Sequence, residues 1–406
     1  MSKKFMCVVL LIALSLLLLM PLAGCKTEEP AGAEINVGLM GGLTGPAASS
    51  VVPMMDEAGY IFRYINEVEG GIDGVKLNWR VVDNKGTPDG AVMAYKELRD
   101  TFDPVIYLAV EDYYLLGIQD TITSDKSVLI TWSAIDPRCY IPPQSFFSIS
   151  IPVADGFAGY IKWLLDQWEG PGQPKVGVLY WEDVPTGEQW RLAEGWVRGQ
   201  GVELVLAPYS IATLELKPQL MALRDAGVDH IWMLGISSNV AVAIRDFRSL
   251  GLTNEIPFCF SEYTEPKGVL GIAGEGAEGF YGYRSESPYS DGTEAARLYS
   301  QIWQWSTGED KWADNRLMIT MKAVLTSVVK QAVEDVGRDN LSNEAVYNAM
   351  NKLTEIDTWG NQEGFGYGPD RRVGVSTIKI HRYTKDGTVS ASDWIELPRI
   401  FEGKEQ

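Results

Sequence analysis

Only two histidines, His230 and His381, occur in 406 residues, and neither a GxSxG elbow nor an HExxH pair is present. The usual parts of a serine hydrolase or a zinc peptidase are therefore missing. Cysteine is as scarce, with four in all, no CxxC and no paired His/Cys spacing, so no metal site is expected. Positive charge is in deficit: 35 Lys and Arg face 54 Asp and Glu, a formal net charge of -19. Such a chain repels a phosphate backbone, which excludes nucleic acid as a partner. Gly274 to Gly279 satisfies GxGxxG on paper, but the run precedes a predicted strand (279–283) where a dinucleotide site needs a helix. Glu275 and Glu278 would also oppose a phosphate. No cofactor is implied, and the chain is not expected to be an enzyme.

The first residues carry a distinct signal. Lys3 and Lys4 precede the uncharged run Phe5 to Met20, and Leu22-Ala23-Gly24-Cys25 closes it with small residues. This layout resembles a bacterial lipoprotein signal peptide, spanning 1–24, cleaved before Cys25 once its thiol carries lipid. The alternative is a permanent membrane helix, in which the small-small-Cys ending has no role. Residues 25–33 read as a tether. The two cysteines left in the body of the chain, Cys139 and Cys259, stand either as a disulfide or as two buried thiols, since sequence separation does not give Cα distance.

From Glu34 onward, β-rich runs alternate with amphipathic stretches, the pattern of parallel sheets covered by helices. Strands are expected over 35–40, 76–82, 104–110, 127–131, 175–180, 203–207, 230–234 and 256–260. In Val51 to Val68 the apolar positions Val51, Met55, Ala58, Ile61, Phe62, Ile65 and Val68 recur at helical spacing, and Gly70-Gly71 stops the helix. Thr87-Pro88-Asp89 places a capping hydroxyl, a first-turn proline and a first-turn acid before a helix over 91–101. Further helices are expected near 153–168, 187–199, 214–226, 239–250, 316–336 and 343–352. The alternation occurs twice, with 146–151 as the passage between the two sets. Each set forms its own three-layer lobe, and a small ligand is expected at the carboxyl ends of the strands.

Leu43-Thr44-Gly45-Pro46, then Gly70-Gly71-Ile72-Asp73-Gly74 followed by Lys76 to Asp83, resembles the start of the type I periplasmic binding proteins of the leucine/isoleucine/valine-binding group. In the second half, Lys175 to Tyr180, Leu220 to Gly235, Asp246 to Gly251 and Ile272 to Phe280 follow that family's order. The resemblance implies two αβα lobes with mainly parallel sheets, joined by a three-strand hinge. It divides the chain into lobe 1 (34–148 plus 282–358), lobe 2 (149–281 plus 359–396) and a C-terminal tail (397–406). It implies closure on a ligand, delivery to an ABC permease, and a monomeric protein outside the cytoplasm, here anchored by lipid on Cys25.

The strand-end loops supply the candidate ligand residues: Thr44, Glu111, Asp112, Tyr113, Trp132, Ser133 and Ala134 from lobe 1, and Trp181, Thr186, Ser237 and Glu262 from lobe 2. Amino-acid binders of the family hold the ligand carboxylate with hydroxyls and backbone amides. In this chain Glu111-Asp112 replaces a run of serines, and Ile135 stands where a hydroxyl is usual. Glu262 falls where the family places the acid that pairs with a ligand ammonium. The expected ligand is a small polar, nitrogen-containing molecule of the amino acid, amide or amine class, stacked on Trp132, Tyr113 or Trp181. Two bland alternatives accompany this: Glu111 and Asp112 cap the next helix in solvent, and the tryptophans pack the lobes. Two other functions remain open, a freestanding sensing subunit of a receptor and a carboxylate-dependent hydrolase. The absence of a transmembrane or cytoplasmic part after the polar end of the chain favours transport over sensing.

Overall fold

The computed structural model describes residues 33–44, 48–309 and 317–403. The expected signal peptide and Cys25 lie outside the described residues.

Five parallel strands form the first sheet: β1 (Glu34–Gly41), β2 (Lys76–Asp83), β3 (Ile106–Ala109), β4 (Val128–Thr131) and β5 (Phe146–Ser148), in the order β2-β1-β3-β4-β5. Every residue of β3 and β4 is buried, as a sheet covered on both faces requires. Between β1 and β2 runs α1 (Ala48–Glu67), which buries Val51, Met55, Ala58, Ile61, Phe62 and Ile65. Val68 lies past the helix end and is exposed, because Gly70 and Gly71 turn the chain away at positive φ. α2 (Pro88–Phe102) starts as its sequence dictates: the Thr87 hydroxyl accepts from the Gly90 amide at 3.0 Å. After β3 the chain makes a 3-10 turn (Tyr113–Ile118) and a short helix, α3 (Gln119–Ser124).

The second lobe holds α4 (Val153–Gln167), β6 (Lys175–Trp181), α5 (Glu194–Gly199), β7 (Glu203–Tyr209), α6 (Lys217–Asp225), β8 (His230–Met233), α7 (Ser237–Ser249), β9 (Phe258–Phe260), α8 (Pro266–Ala273) and β10 (Tyr281–Arg284). The chain then returns to the first lobe for α9 (Glu294–Thr307), α10 (Leu317–Val336) and α11 (Asn343–Met350); α9 and α10 pack on α1, and α11 on β4. It crosses a third time to add β11 (Thr377–Thr384), β12 (Gly387–Ser390) and β13 (Ile395–Glu396). The second sheet has the order β12-β11-β10-β9-β8-β6-β7, with β13 beside β11; it is parallel from β7 to β10 and antiparallel beyond. Two lobes and three crossings are thus present.

Four details differ from the expectation. Residues 146–148 are the fifth strand of the first sheet before they become the passage. The boundary expected at 282 falls inside β10, which pairs with β9 and β11, so the return to lobe 1 comes after Arg284. The helix expected over 187–199 is a 3-10 turn (Pro185–Ala193) leading into α5. A Cβ at Gly187 would lie 1.9 Å from the Trp181 carbonyl oxygen, so this turn is pressed onto the end of β6. The end of the chain is packed: Leu397, Ile400 and Phe401 are buried, and the Phe401 ring lies 5.8 Å from Tyr140 of lobe 1. The Phe401 amide donates to the buried Asp155 carboxylate of α4 at 2.9 Å, so this segment ties one lobe to the other. Cys139 and Cys259 are free, buried thiols in different lobes, which resolves their pairing.

Candidate functional site

The first crossing leaves from the carboxyl end of β5 and the second from that of β10, so the carboxyl ends of both parallel sheets meet at the hinge. The third crossing runs beside the first: Ser148 accepts from the Gly374 amide at 2.9 Å and donates its own amide to Arg372 O at 2.8 Å. Any ligand held at the strand ends is therefore held against the moving part of the fold.

On lobe 1, Asp112 is fully buried and does not face solvent as a helix cap would. Its carboxylate accepts from the Ile135 amide at 2.8 Å, the Asp136 amide at 3.1 Å and the Ser133 hydroxyl at 3.2 Å, and its own amide donates to Ser133 Oγ at 3.0 Å. Asp112 and Ser133 are thus spent on joining the loop after β3 to the loop after β4. Burial pushes the Asp112 carboxyl upward, and these bonds offset part of the shift. Glu111 is less covered, yet its Oε2 is buried without a hydrogen-bond partner; burial, with Asp112 adding to it, raises its pKa to about 7. Trp132 is only 4% exposed and its Nε1 is likewise buried without a partner. Ala134 is buried, and Thr44 is exposed with its hydroxyl given to Asp83 at 2.6 Å. The backbone of Tyr113 opens the 3-10 turn.

On lobe 2, Trp181 is buried, donates to Asn239 Oδ1 at 3.1 Å and stacks on Tyr263 with centroids 6.4 Å apart. In this structure protein covers both tryptophans, as in the packing alternative, and neither is an open platform. Thr186 is half-buried, and Ser237, at the start of α7, donates to Glu265 O at 3.1 Å.

Glu262, just past β9, has the most unusual setting. Its Oε1 accepts from the hydroxyl of Ser150, in the first crossing, at 2.9 Å. Arg284, at the end of β10, donates through Nη1 to Glu262 O at 3.2 Å and Thr264 O at 3.3 Å, and through Nε to the buried Glu286 at 3.0 Å. Burial first, and Glu286 next, raise the Glu262 pKa to about 8, while Arg284 and Ser150 pull the other way. Burial opposes the Arg284 charge, but Glu286 and Glu262 hold it cationic. The sequence reading names Glu262 of this array and not Ser150, Arg284 or Glu286. The alternation Arg284-Ser285-Glu286-Ser287 directly after a β-rich run was the available signal, since polar residues there have no solvent face to occupy.

The histidines stand elsewhere. His230 opens β8 at its amino end, 3.4 Å from the Tyr160 hydroxyl, and burial lowers its pKa to about 4. His381 is buried within β11. Two pockets, of about 510 Å³ between α7 and α8 and about 370 Å³ between α1 and β2, lie on the helix layers; the first is lined by Ser238, next to Ser237, and the second by Leu43, next to Thr44.

The profile of the family described as periplasmic binding protein matches residues 34–388. No curated protein is a match. A branched-chain amino acid ABC transporter protein from Thermus thermophilus with bound valine superposes with a TM-score of 0.78 at 18% identity, covering 92% of this chain and 99% of that one. A fatty acid ABC transporter substrate-binding protein from Thermomonospora curvata gives 0.74 at 19%, covering 92% and 95%. A leucine-binding protein from Thermotoga maritima gives 0.70 at 13%, covering 89% and 99%. The chain belongs to the periplasmic binding protein family, which implies an extracytoplasmic location, a small-molecule ligand and an ABC permease as partner.

Proposed function

We propose that this chain is the lipid-anchored substrate-binding component of an ABC transporter, held to a bacterial membrane through Cys25, whose lobes close on a small nitrogen-containing ligand. The observation that carries the reading is Glu262: a carboxyl at the end of a lobe 2 strand, bonded to Ser150 in the crossing from lobe 1. A ligand that draws this carboxyl toward itself acts on the hinge directly. Valine and leucine carry an ammonium that suits such an acid, and the two structural relatives named for them support the amino acid and amine class. The fatty-acid relative marks the alternative cargo.

The test is thermal unfolding of the chain without its first 25 residues against amino acids, amines, amides, sugars and fatty acids. A ligand at a hundredfold excess over its Kd stabilises by about 2.7 kcal/mol, which moves the midpoint by several degrees. Protection by amino acids, amides or amines is expected. Protection by fatty acids or sugars alone would refute the ligand class, and turnover of any compound would refute the binding role.

A further inference from the structure

We propose that the groove between α1 and β2 is a second small-molecule site, outside the cleft, for an aromatic carboxylate of the arylacetate type. The groove holds about 370 Å³. β2 is the far edge of the first sheet, four strand spacings from β5, where the lobes join. At about 4.8 Å per spacing the groove stands about 19 Å from the hinge. One end reaches Leu43, but its walls are a helix face and the edge of a sheet.

Asp56, Gly59, Tyr60 and Arg63 line the groove from α1 at helical spacing, and Trp79 and Val81, on one face of β2, line the other side. The Arg63 guanidinium lies over the ring of Tyr60 at 5.4 Å and over that of Trp305, in α9, at 5.8 Å. Two rings thus hold it in place without using its N–H groups, and it makes no hydrogen bond or ion pair with the described residues. The Trp79 ring packs at 65° on the buried Phe62, centroids 5.5 Å apart, and its indole N–H donates to no described residue. The indole nitrogen stands over the floor of the groove: a Cβ on Gly59 would lie 3.8 Å from it. Gly59 is itself a second sign. Glycine inside a helix is costly relative to alanine, yet this residue is not at positive φ, and that Cβ would meet no other atom within 4 Å beyond its own helix. A side chain there would instead fill the groove.

The lining decides the ligand. A guanidinium with unspent donors and an indole N–H in the same groove take an anion, and a carboxylate matches the guanidinium fork. Tyr60, Trp79 and Val81 offer surface for a flat apolar body. An inorganic anion would leave these walls uncovered, and an amine would meet Arg63 with like charge. Asp56 lies seven residues before Arg63, about 10 Å along the helix, and opposes a second negative charge at that end. An α-amino acid brings its ammonium toward the guanidinium together with its carboxylate, so the acid without the amino group fits better.

The test is calorimetry and thermal unfolding of the full chain with phenylacetate and indole-3-acetate, the matched amines phenethylamine and tryptamine, and the amino acids phenylalanine and tryptophan. The arylacetates are expected to bind, and more tightly than the amines or the amino acids. Arg63→Gln should weaken them at least about tenfold, the effect of losing a charge-assisted contact. Gly59→Leu, which fills the groove, should abolish their binding; if that variant unfolds early, Arg63→Gln decides alone. Glu262→Gln should leave arylacetate binding unchanged, which separates this groove from the cleft. Arylacetates that bind Arg63→Gln as tightly as the native protein, that are lost in Glu262→Gln, or that do not bind at all would overturn the proposal, and each result leaves the substrate-binding reading of the cleft intact.

Discussion

Replacing Asp112 by alanine should destabilise the protein severely. Its carboxylate is the acceptor for the Ile135 amide at 2.8 Å, the Asp136 amide at 3.1 Å and the Ser133 hydroxyl at 3.2 Å, in a site with no solvent access. The hydroxyl can rotate to another acceptor, but the two amides are fixed by the loop. At about 1–3 kcal/mol for each stranded donor, the loss is about 2–6 kcal/mol, a large part of the roughly 5–15 kcal/mol that holds a typical domain together. Asp112→Asn keeps a carbonyl oxygen for both amides and an N–H for Ser133 Oγ, so it should lose only the charge, about 1 kcal/mol. Urea unfolding at constant m-value reads both numbers. If Asp112→Ala unfolds within about 0.5 kcal/mol of the native protein and instead abolishes ligand protection, Asp112 is a ligand contact and the reasoning about the loop tie is wrong.

Three further outcomes follow from burial and charge. Glu111 and Asp155, raised to about 7, and Glu262, raised to about 8, each contribute stability that is present below their unfolded values and lost as pH rises through the folded ones. The melting midpoint should therefore decline from pH 5 toward pH 9, and Glu286→Gln should move the upper part of that decline to lower pH; a midpoint that rises over this range contradicts the assignment. Phe401→Ala removes a ring that packs on Tyr140 and should cost about 3–5 kcal/mol in chemical denaturation, whereas a free tail would lose nothing measurable. Cys139 and Cys259 are free and buried, and burial pushes both thiols upward, so a thiol reagent should count two in denaturant and none in the native chain without its first 25 residues.

The sheets were legible because short β-rich apolar runs bounded by glycine and acid, alternating with amphipathic stretches, have few other solutions, and the Thr87 cap because its residue order admits one geometry. The 3-10 course of 185–193 was not legible: a close approach of Gly187 to the Trp181 carbonyl decides it, and periodicity carries no information about that contact. The packed end of the chain was missed for a similar reason, since Ile400 and Phe401 are two apolar residues in a polar surrounding and only their partners, Tyr140 and Asp155, reveal their role. Glu262 and Glu111 follow the strand ends where the sequence puts them, but the sequence did not separate Glu111 from Asp112. That difference lies in which way adjacent side chains turn, and here one turns into a nest of amides while the other keeps an unpaired oxygen. In the array at Glu262, the polar run 284–287 was a local signal, but the bond from Ser150 joins segments 112 residues apart, which no local pattern records.

The central claim is that two lobes close on a small molecule held at the strand ends. Small-angle X-ray scattering of the chain without its first 25 residues, with and without the compound that protects it best, tests this most directly. The account predicts that the radius of gyration falls on binding, and that Glu262→Gln reduces both the fall and the affinity. A compound that binds tightly with no change in radius, in the native protein and in Glu262→Gln alike, would contradict it.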